Sequence, residues 1–190
     1  MRRLLLLLCA LALSAACSEP PQKEIDRAQG ALDAARAAGA ELYASSEYSA
    51  ATTSLQQAHD AVTQGDYRLA LSRALDASER AQQAARQAAD GKARARSEAE
   101  VIVATTATAA QQLRSAIKAI EPSKPPAAVL TAARRTASSA ESALQEARAL
   151  LKEERYLEVG GALNGVQERI SAQMHALNEA AKPRAGKRRT

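Results

Sequence analysis

The stretch YRLALSRALDASERAQQAARQA, residues 67–88, decides the fold. Tyr67, Leu71, Ala74, Ser78, Ala81, Ala85 and Ala88 recur at steps of 4 and 3, the spacing that gathers side chains on one stripe of a helix. The same stepping returns in Ile102, Thr106, Ala109, Leu113, Ala116 and Ile120, and Lys92, Ala95 and Ala99 carry the register between the two stretches. One long helix is therefore predicted from Asp66 or Tyr67 to Ile120, on the order of 80 Å if unbroken, with a coiled-coil-like seam of small knobs. Lys92 is the one clear defect in that seam and follows Gly91, so a weak spot with a local bend is expected there.

Working outward, Gly65-Asp66 reads as the turn that precedes this helix, glycine ending one helix and aspartate capping the next. A helix starting at Ser45 or Ser46 runs through Leu55, Ala58 and Val62. An earlier one starts near Pro21 and carries Ile25, Ala28, Leu32, Ala35 and Ala38 before weakening at Gly39. Downstream, Pro122, Pro125 and Pro126 stop the long helix, since proline lacks the N–H that an interior position needs. A further helix begins near Pro126 and carries Val129, Ala133, Ala137, Ala140, Leu144, Ala147 and Leu151. The last carries Tyr156, Val159, Leu163, Val166, Ile170 and Met174. The boundary between these two falls at Glu153 to Arg155 or at Gly160-Gly161. A faint internal repeat favours the first place: an offset of 89 residues carries Leu55, Ala58, Tyr67, Glu79 and Arg80 onto Leu144, Ala147, Tyr156, Glu168 and Arg169.

Composition agrees with helices throughout. There is no Phe or Trp, only four Tyr, and the 46% apolar content is largely alanine. Alanine is the strongest helix former but buries little area, so such a chain builds thin helical layers rather than a thick core. The fold class is all-α: antiparallel helical hairpins forming an elongated, coiled-coil-like bundle around one long central helix.

Residues 1–16 have the layout of a lipoprotein signal peptide. Arg2 and Arg3 give a charged start, Leu4 to Leu13 a short apolar core, and Ser14 to Ala16 small residues before Cys17. The layout is similar to that of bacterial lipoproteins, which implies cleavage before Cys17, a diacylglycerol on its thiol and an amide-linked acyl chain such as palmitate. The small residues also suit cleavage for plain secretion. Cys17 would be the sole mature cysteine, which lipidation explains. Residues 17–20 then form a linker, 21–120 a first helical domain, 121–126 a proline-rich turn, 127–181 a second hairpin and 182–190 a basic disordered tail. Ser18 after the cysteine, by the same resemblance, implies transfer to the outer membrane, facing the periplasm.

The net charge of +5 is a property of the ends. Arg2 and Arg3 lie in the signal, and Lys182, Arg184, Lys187, Arg188 and Arg189 lie in the tail, leaving the body at −2. With no basic face and no aromatic stacking platform, nucleic-acid binding is not expected. The tail is suited to anionic lipid or peptidoglycan, weakened by salt, or serves only as a solubilising end.

The stretch from Gly39 through Glu41-Leu42-Tyr43-Ala44-Ser45 to Tyr48, then Leu55-x-x-Ala58, then Gly65-Asp66-Tyr67-Arg68-Leu69-Ala70, resembles the domain-of-unknown-function 4398 family. The resemblance covers roughly residues 20–115 and implies short, tetratricopeptide-like helical hairpins in an envelope lipoprotein. The family's usual Tyr-Ala-Pro turn is here Tyr43-Ala44-Ser45. No catalytic residues are implied.

No constellation of residues reads as catalytic. Ser115-Ala-Ile-Lys118 has the spacing of penicillin-recognising acylases without their other motifs. His175 and Glu179 share a helix turn, but a zinc site needs three or four converging ligands. Gly160, Gly161 and Gly165 lack the ending of a phosphate loop, and close helix packing is expected of Gly161 and Gly165. No cofactor or metal is expected. Tyr67 and Tyr156 read as packing at hairpin ends, while Tyr43 and Tyr48 are candidates for partner contact. The expected function is a membrane-anchored, non-enzymatic scaffold that docks an envelope protein. The alternative is a structural tether that works through the basic tail. The alanine seams also permit self-association.

Overall fold

The computed structural model describes residues 19–182, so the signal segment with Cys17, and Arg184, Lys187, Arg188 and Arg189 of the tail, lie outside the described residues. The described chain is all helical, without strands. Helices are α1 Gln22–Ala37, α2 Ala40–Tyr43, α3 Ser45–Thr63, α4 Tyr67–Ile120, α5 Ala127–Lys152, α6 Tyr156–Ala162 and α7 Val166–Ala181, with a 3-10 turn at Glu121–Ser123.

Compact packing divides the chain between Lys92 and Ala93. The division falls inside α4, not at the proline-rich turn that the sequence pattern marks as the domain boundary. Proline ends a helix, but it does not decide which helices share a core. In the first unit, Ile25, Ala28 and Leu32 of α1, Ala51, Leu55 and Ala58 of α3, and Ala74, Ala77 and Ala81 of α4 form one apolar cluster. In the second, residues 99–120 of α4 pack with α5, α6 and α7 around Leu113, Leu144, Val159, Val166, Ile170 and Leu177. Arg114–Glu141 joins α4 to α5, and Arg134–Glu121 joins α5 to the 3-10 turn that follows α4, in antiparallel register.

The long helix has the predicted bounds, with the cap on its first turn supplied by Asp66, whose Oδ1 accepts from the Leu69 N–H at 2.9 Å. Its buried line differs from the expected seam at several places. Ala70, Ala84, Val103, Ala110 and Ile117 are buried where Leu71, Ala85, Ile102, Ala109 and Ala116 were expected to lead. Each half of α4 faces more than one partner helix, which widens the buried arc beyond a single seam. In the first half alanine takes its centre and Leu71 remains at the flank, 38% exposed; in the second half Val103, Leu113 and Ile117 share the centre with Ala110, and Ile102 remains at the flank, 36% exposed.

The predicted weak spot at Gly91 is instead a contact. The helix continues through it, and a Cβ at Gly91 would lie 2.9 Å from the carbonyl oxygen of Tyr43 and 3.0 Å from its Cβ. Gly161, expected to serve close packing, has nothing within 4 Å of its Cβ direction. Gly165 is a left-handed residue (φ +66°) that starts α7.

The boundary after α5 falls at Glu153–Arg155, as the internal repeat favours, and a second break at Leu163–Gly165 divides the last helix. The repeat extends to the hydrogen bonds. Gln64, Gly65 and Asp66 N–H groups donate to Asp60, Val62 and Ala61 carbonyls. Glu153, Glu154 and Arg155, at the same offset, donate to Ala149, Leu151 and Leu150. Both are helix ends of the Schellman type, with Gly65 (φ +74°) and Glu154 (φ +60°) in the left-handed position. The buried positions coincide as well: Leu55 with Leu144, Ala58 with Ala147, Ala70 with Val159, Ala77 with Val166 and Ala81 with Ile170.

Two glycine substitutions separate helix propensity from packing. Gly30→Ala, with open space beyond its Cβ direction, is expected to stabilise by about 1 kcal/mol. Gly91→Ala gains the same propensity but must displace the Tyr43 backbone, and a net loss of about 1–2 kcal/mol is expected. Thermal or urea unfolding of the two variants, read against the parent chain, checks the opposite signs.

Candidate functional site

Of the residues singled out in the sequence, Tyr43 and Tyr48 are both half-buried, packed against Ala35, Ala40, Ala44, Ala84 and Ala88. Gly39, with φ +84°, starts the single turn α2, which brings Tyr43 against α4 at Gly91. Tyr48 lies under Arg36, whose guanidinium carbon is 5.8 Å from the ring centroid and whose Nε donates to Glu41 Oε1 at 3.0 Å. Both rings therefore brace the end of the first unit, and only their remaining edges face solvent. Tyr156 is buried, as a packing role requires, and Tyr67 is half-buried. Lys182 is exposed and pairs with Glu179 at 2.6 Å. Ser115 and Lys118 lie on an exposed helix face. Among the described residues, no three of His, Cys, Asp or Glu converge in a way that could hold a metal ion.

The most distinctive surface lies in the second unit and was not singled out from sequence. From Val101 to Leu113 α4 carries no charge, in a chain of 25% charged residues. Val103, Thr106, Ala110 and Leu113 of that run face the core. On the outward side Val101, Thr105, Thr108, Gln112, Ser115 and Ala119 recur at steps of 4 and 3, and all are exposed. This is heptad spacing on a second face of the helix, the pattern that presents a stripe to another helix. Val101 is 58% exposed.

Beside the stripe runs a groove of about 840 Å³ between α4 and α7, lined by Thr105, Ala109 and Gln112 on one side and Gln167, Ile170, Ser171 and Met174 on the other. Gln167 pins its upper wall. Its Nε2 donates to Thr106 Oγ1 at 3.0 Å and to Thr105 Oγ1 at 3.2 Å. Thr106 is wholly buried, so Gln167 is the group that brings a polar contact to an otherwise apolar layer. Met174 contributes a flexible, polarisable wall that adapts to different occupants. The groove offers apolar floor, amide and hydroxyl groups, and Glu168 as its one charged lining residue. It is suited to an uncharged surface and ill suited to holding an ion.

Compared with protein families, with characterised proteins and with solved structures, the chain matches none of them. No helix among the described residues is long and apolar enough to cross a membrane.

Replacing Gln167 by Leu leaves the buried Thr106 hydroxyl without its donor and is expected to cost about 1–2 kcal/mol. The double replacement Thr106→Val with Gln167→Leu removes both partners and should recover most of that loss. A double-mutant cycle by urea unfolding measures the difference.

Proposed function

We propose that this chain is a non-enzymatic helical scaffold of the bacterial cell envelope, held at the outer membrane by lipid on Cys17 and facing the periplasm, where it docks a protein partner. The anchor and the compartment rest on the lipoprotein-like leader and on the resemblance to the domain-of-unknown-function 4398 family. The docking role rests on one observation above all: the uncharged, heptad-spaced outward face of α4 from Val101 to Ala119, flanked by the α4–α7 groove. Such a face is suited to a helix of a partner, with Val101 and Ile102 as apolar contacts and the threonines and glutamine fixing register.

The test is in-cell photo-crosslinking of the full-length protein from Thr108, with Arg68 in the first unit as the control position. A specific protein captured from Thr108 and not from Arg68 is expected. Val101→Glu and Ser115→Arg alter exposed positions of the same face, so stability should stay within about 0.5 kcal/mol, while capture from Thr108 falls at least about tenfold. Capture that survives both substitutions would overturn the docking role of this face. Capture that instead requires residues 182–190 would favour a tether acting through the basic tail.

A further inference from the structure

In the first unit α3 and α4 border a second groove, of about 430 Å³, whose chemistry is different. One wall is α3, uncharged from Tyr48 to Ala58, which presents Ser46, Ser49, Thr53 and Gln57. The other is α4, which presents Arg73, Asp76 and Arg80. Ser54, only 6% exposed, donates its hydroxyl to Asp76 Oδ2 at 2.6 Å. Arg80 Nε donates to both Asp76 oxygens at 3.0 and 3.1 Å, and Arg80 Nη1 lies 3.6 Å from Glu47. The Ser54 hydrogen bond, followed by Arg80 and then the more distant charge of Arg73, holds the Asp76 carboxyl below its usual range. Asp76 is thus an ionised acceptor with two of its contacts already fixed. Arg73, in contrast, forms no ion pair among the described residues and is exposed. Thr53 donates its own proton to the Ser49 carbonyl, which leaves its oxygen to accept.

The internal repeat supplies a control for what the hairpin itself requires. At the offset of 89 residues Ser54 becomes Ala143, Arg73 becomes Ala162 and Asp76 becomes Gly165, yet the neighbouring core positions stay buried. The hydroxyls at 49 and 53 persist as Ser138 and Ser142. The hairpin therefore forms without the Ser54–Asp76 bond and without a guanidinium at position 73. What the first unit adds is one unpaired cation beside a fixed carboxylate acceptor and a row of hydroxyl and amide groups.

An apolar helix would strand those polar walls, and a cation would meet two guanidiniums. A simple inorganic anion would use Arg73 and leave the α3 wall unengaged. A ligand with one anionic group and several neighbouring hydroxyls uses all of it. Its carboxylate pairs with Arg73, one hydroxyl donates to Asp76, and others exchange hydrogen bonds with Gln57 and the serines. We propose that the α3–α4 groove of the first unit is a binding site for an acidic saccharide, with Arg73 pairing its carboxylate and Asp76 accepting from a sugar hydroxyl. This is a site separate from the protein-docking face and does not depend on it.

The test is an amide NMR titration of the full chain with glucuronate, with glucose and inorganic phosphate as the parallel probes. Glucuronate is expected to give saturable shifts at Ser46, Ser49, Thr53 and Arg73 with a Kd of about 1 mM. Ser138 and Ser142 should not move, and glucose should give no saturable shift. Arg73→Ala, at an exposed position that leaves the thermal midpoint unchanged, should weaken glucuronate about tenfold. Asp76→Asn is the second variant, read by the same shifts, and should weaken it as well. Absence of saturable shifts with glucuronate would overturn the proposal. So would phosphate binding with the same shifts and the same Kd, or an Arg73→Ala chain that binds glucuronate unchanged.

Discussion

Close approach of helix backbones across alanine is the constraint on which the first unit depends. Ala28, Ala35, Ala51, Ala58, Ala70, Ala74, Ala77, Ala81, Ala84 and Ala88 are all fully buried, and among the described residues of that unit only Ile25, Leu32 and Leu55 add large aliphatic side chains to the buried set. Burying one methyl contributes about 0.8 kcal/mol, less than half of what a leucine side chain gives. Dispersion between thin layers falls off steeply if the helices part by even an ångström. Such a unit holds together because alanine also has the best helix propensity and because no side chain keeps the backbones apart. Gly91 is the extreme case, where even a methyl group would collide with Tyr43.

The second unit solves the same geometry with larger side chains. Its hairpin repeats the turn and the buried register of the first, but Ala70, Ala74, Ala77, Ala81 and Ala88 are replaced at the equivalent places by Val159, Leu163, Val166, Ile170 and Leu177. Helices separated by leucine and isoleucine pack farther apart than helices separated by alanine. A glutamine, longer than any side chain in the alanine layer of the first unit, spans from α7 to the threonines of α4 beside the α4–α7 groove. The repeat thus yields two units of one buried register, filled by side chains of unequal size.

The turns that carry a local chemical signal were legible in the sequence. Gly65-Asp66 placed the start of α4 and Pro126 the start of α5, each because one residue type there satisfies or removes a backbone group; α3 begins at Ser45 as expected, but Ala44 holds the cap position and no serine side chain caps the helix. The break at Leu163–Gly165 was missed although Asn164-Gly165 is a turn pair. Val159, Leu163, Val166 and Ile170 keep the 4 and 3 stepping across it, so periodicity concealed the interruption. The turn α2 was missed for the same kind of reason, being held by Gly39 and by contact with α4 rather than by any pattern of its own. The polar contacts of both grooves were out of reach. Ser54 with Asp76 and Gln167 with Thr106 join ordinary helix residues 22 and 61 positions apart, and neither pair forms a motif.

The exposed uncharged stretches say more about function than the cores do, because the fold places no demand on them. A charge at Thr108 or Gln112 would sit in water, keep the helix and touch no buried layer. The flanks of the same helix show what the fold accepts at such positions: Arg94, Arg96, Glu98 and Glu100 precede the run, and Arg114 and Lys118 enter at its end. Solubility also favours charge on a surface, and leaving Val101 58% exposed gains the isolated chain nothing. Stability and solubility therefore leave the neutrality from Val101 to Leu113 unexplained, whereas contact with another uncharged surface supplies a physical reason for it.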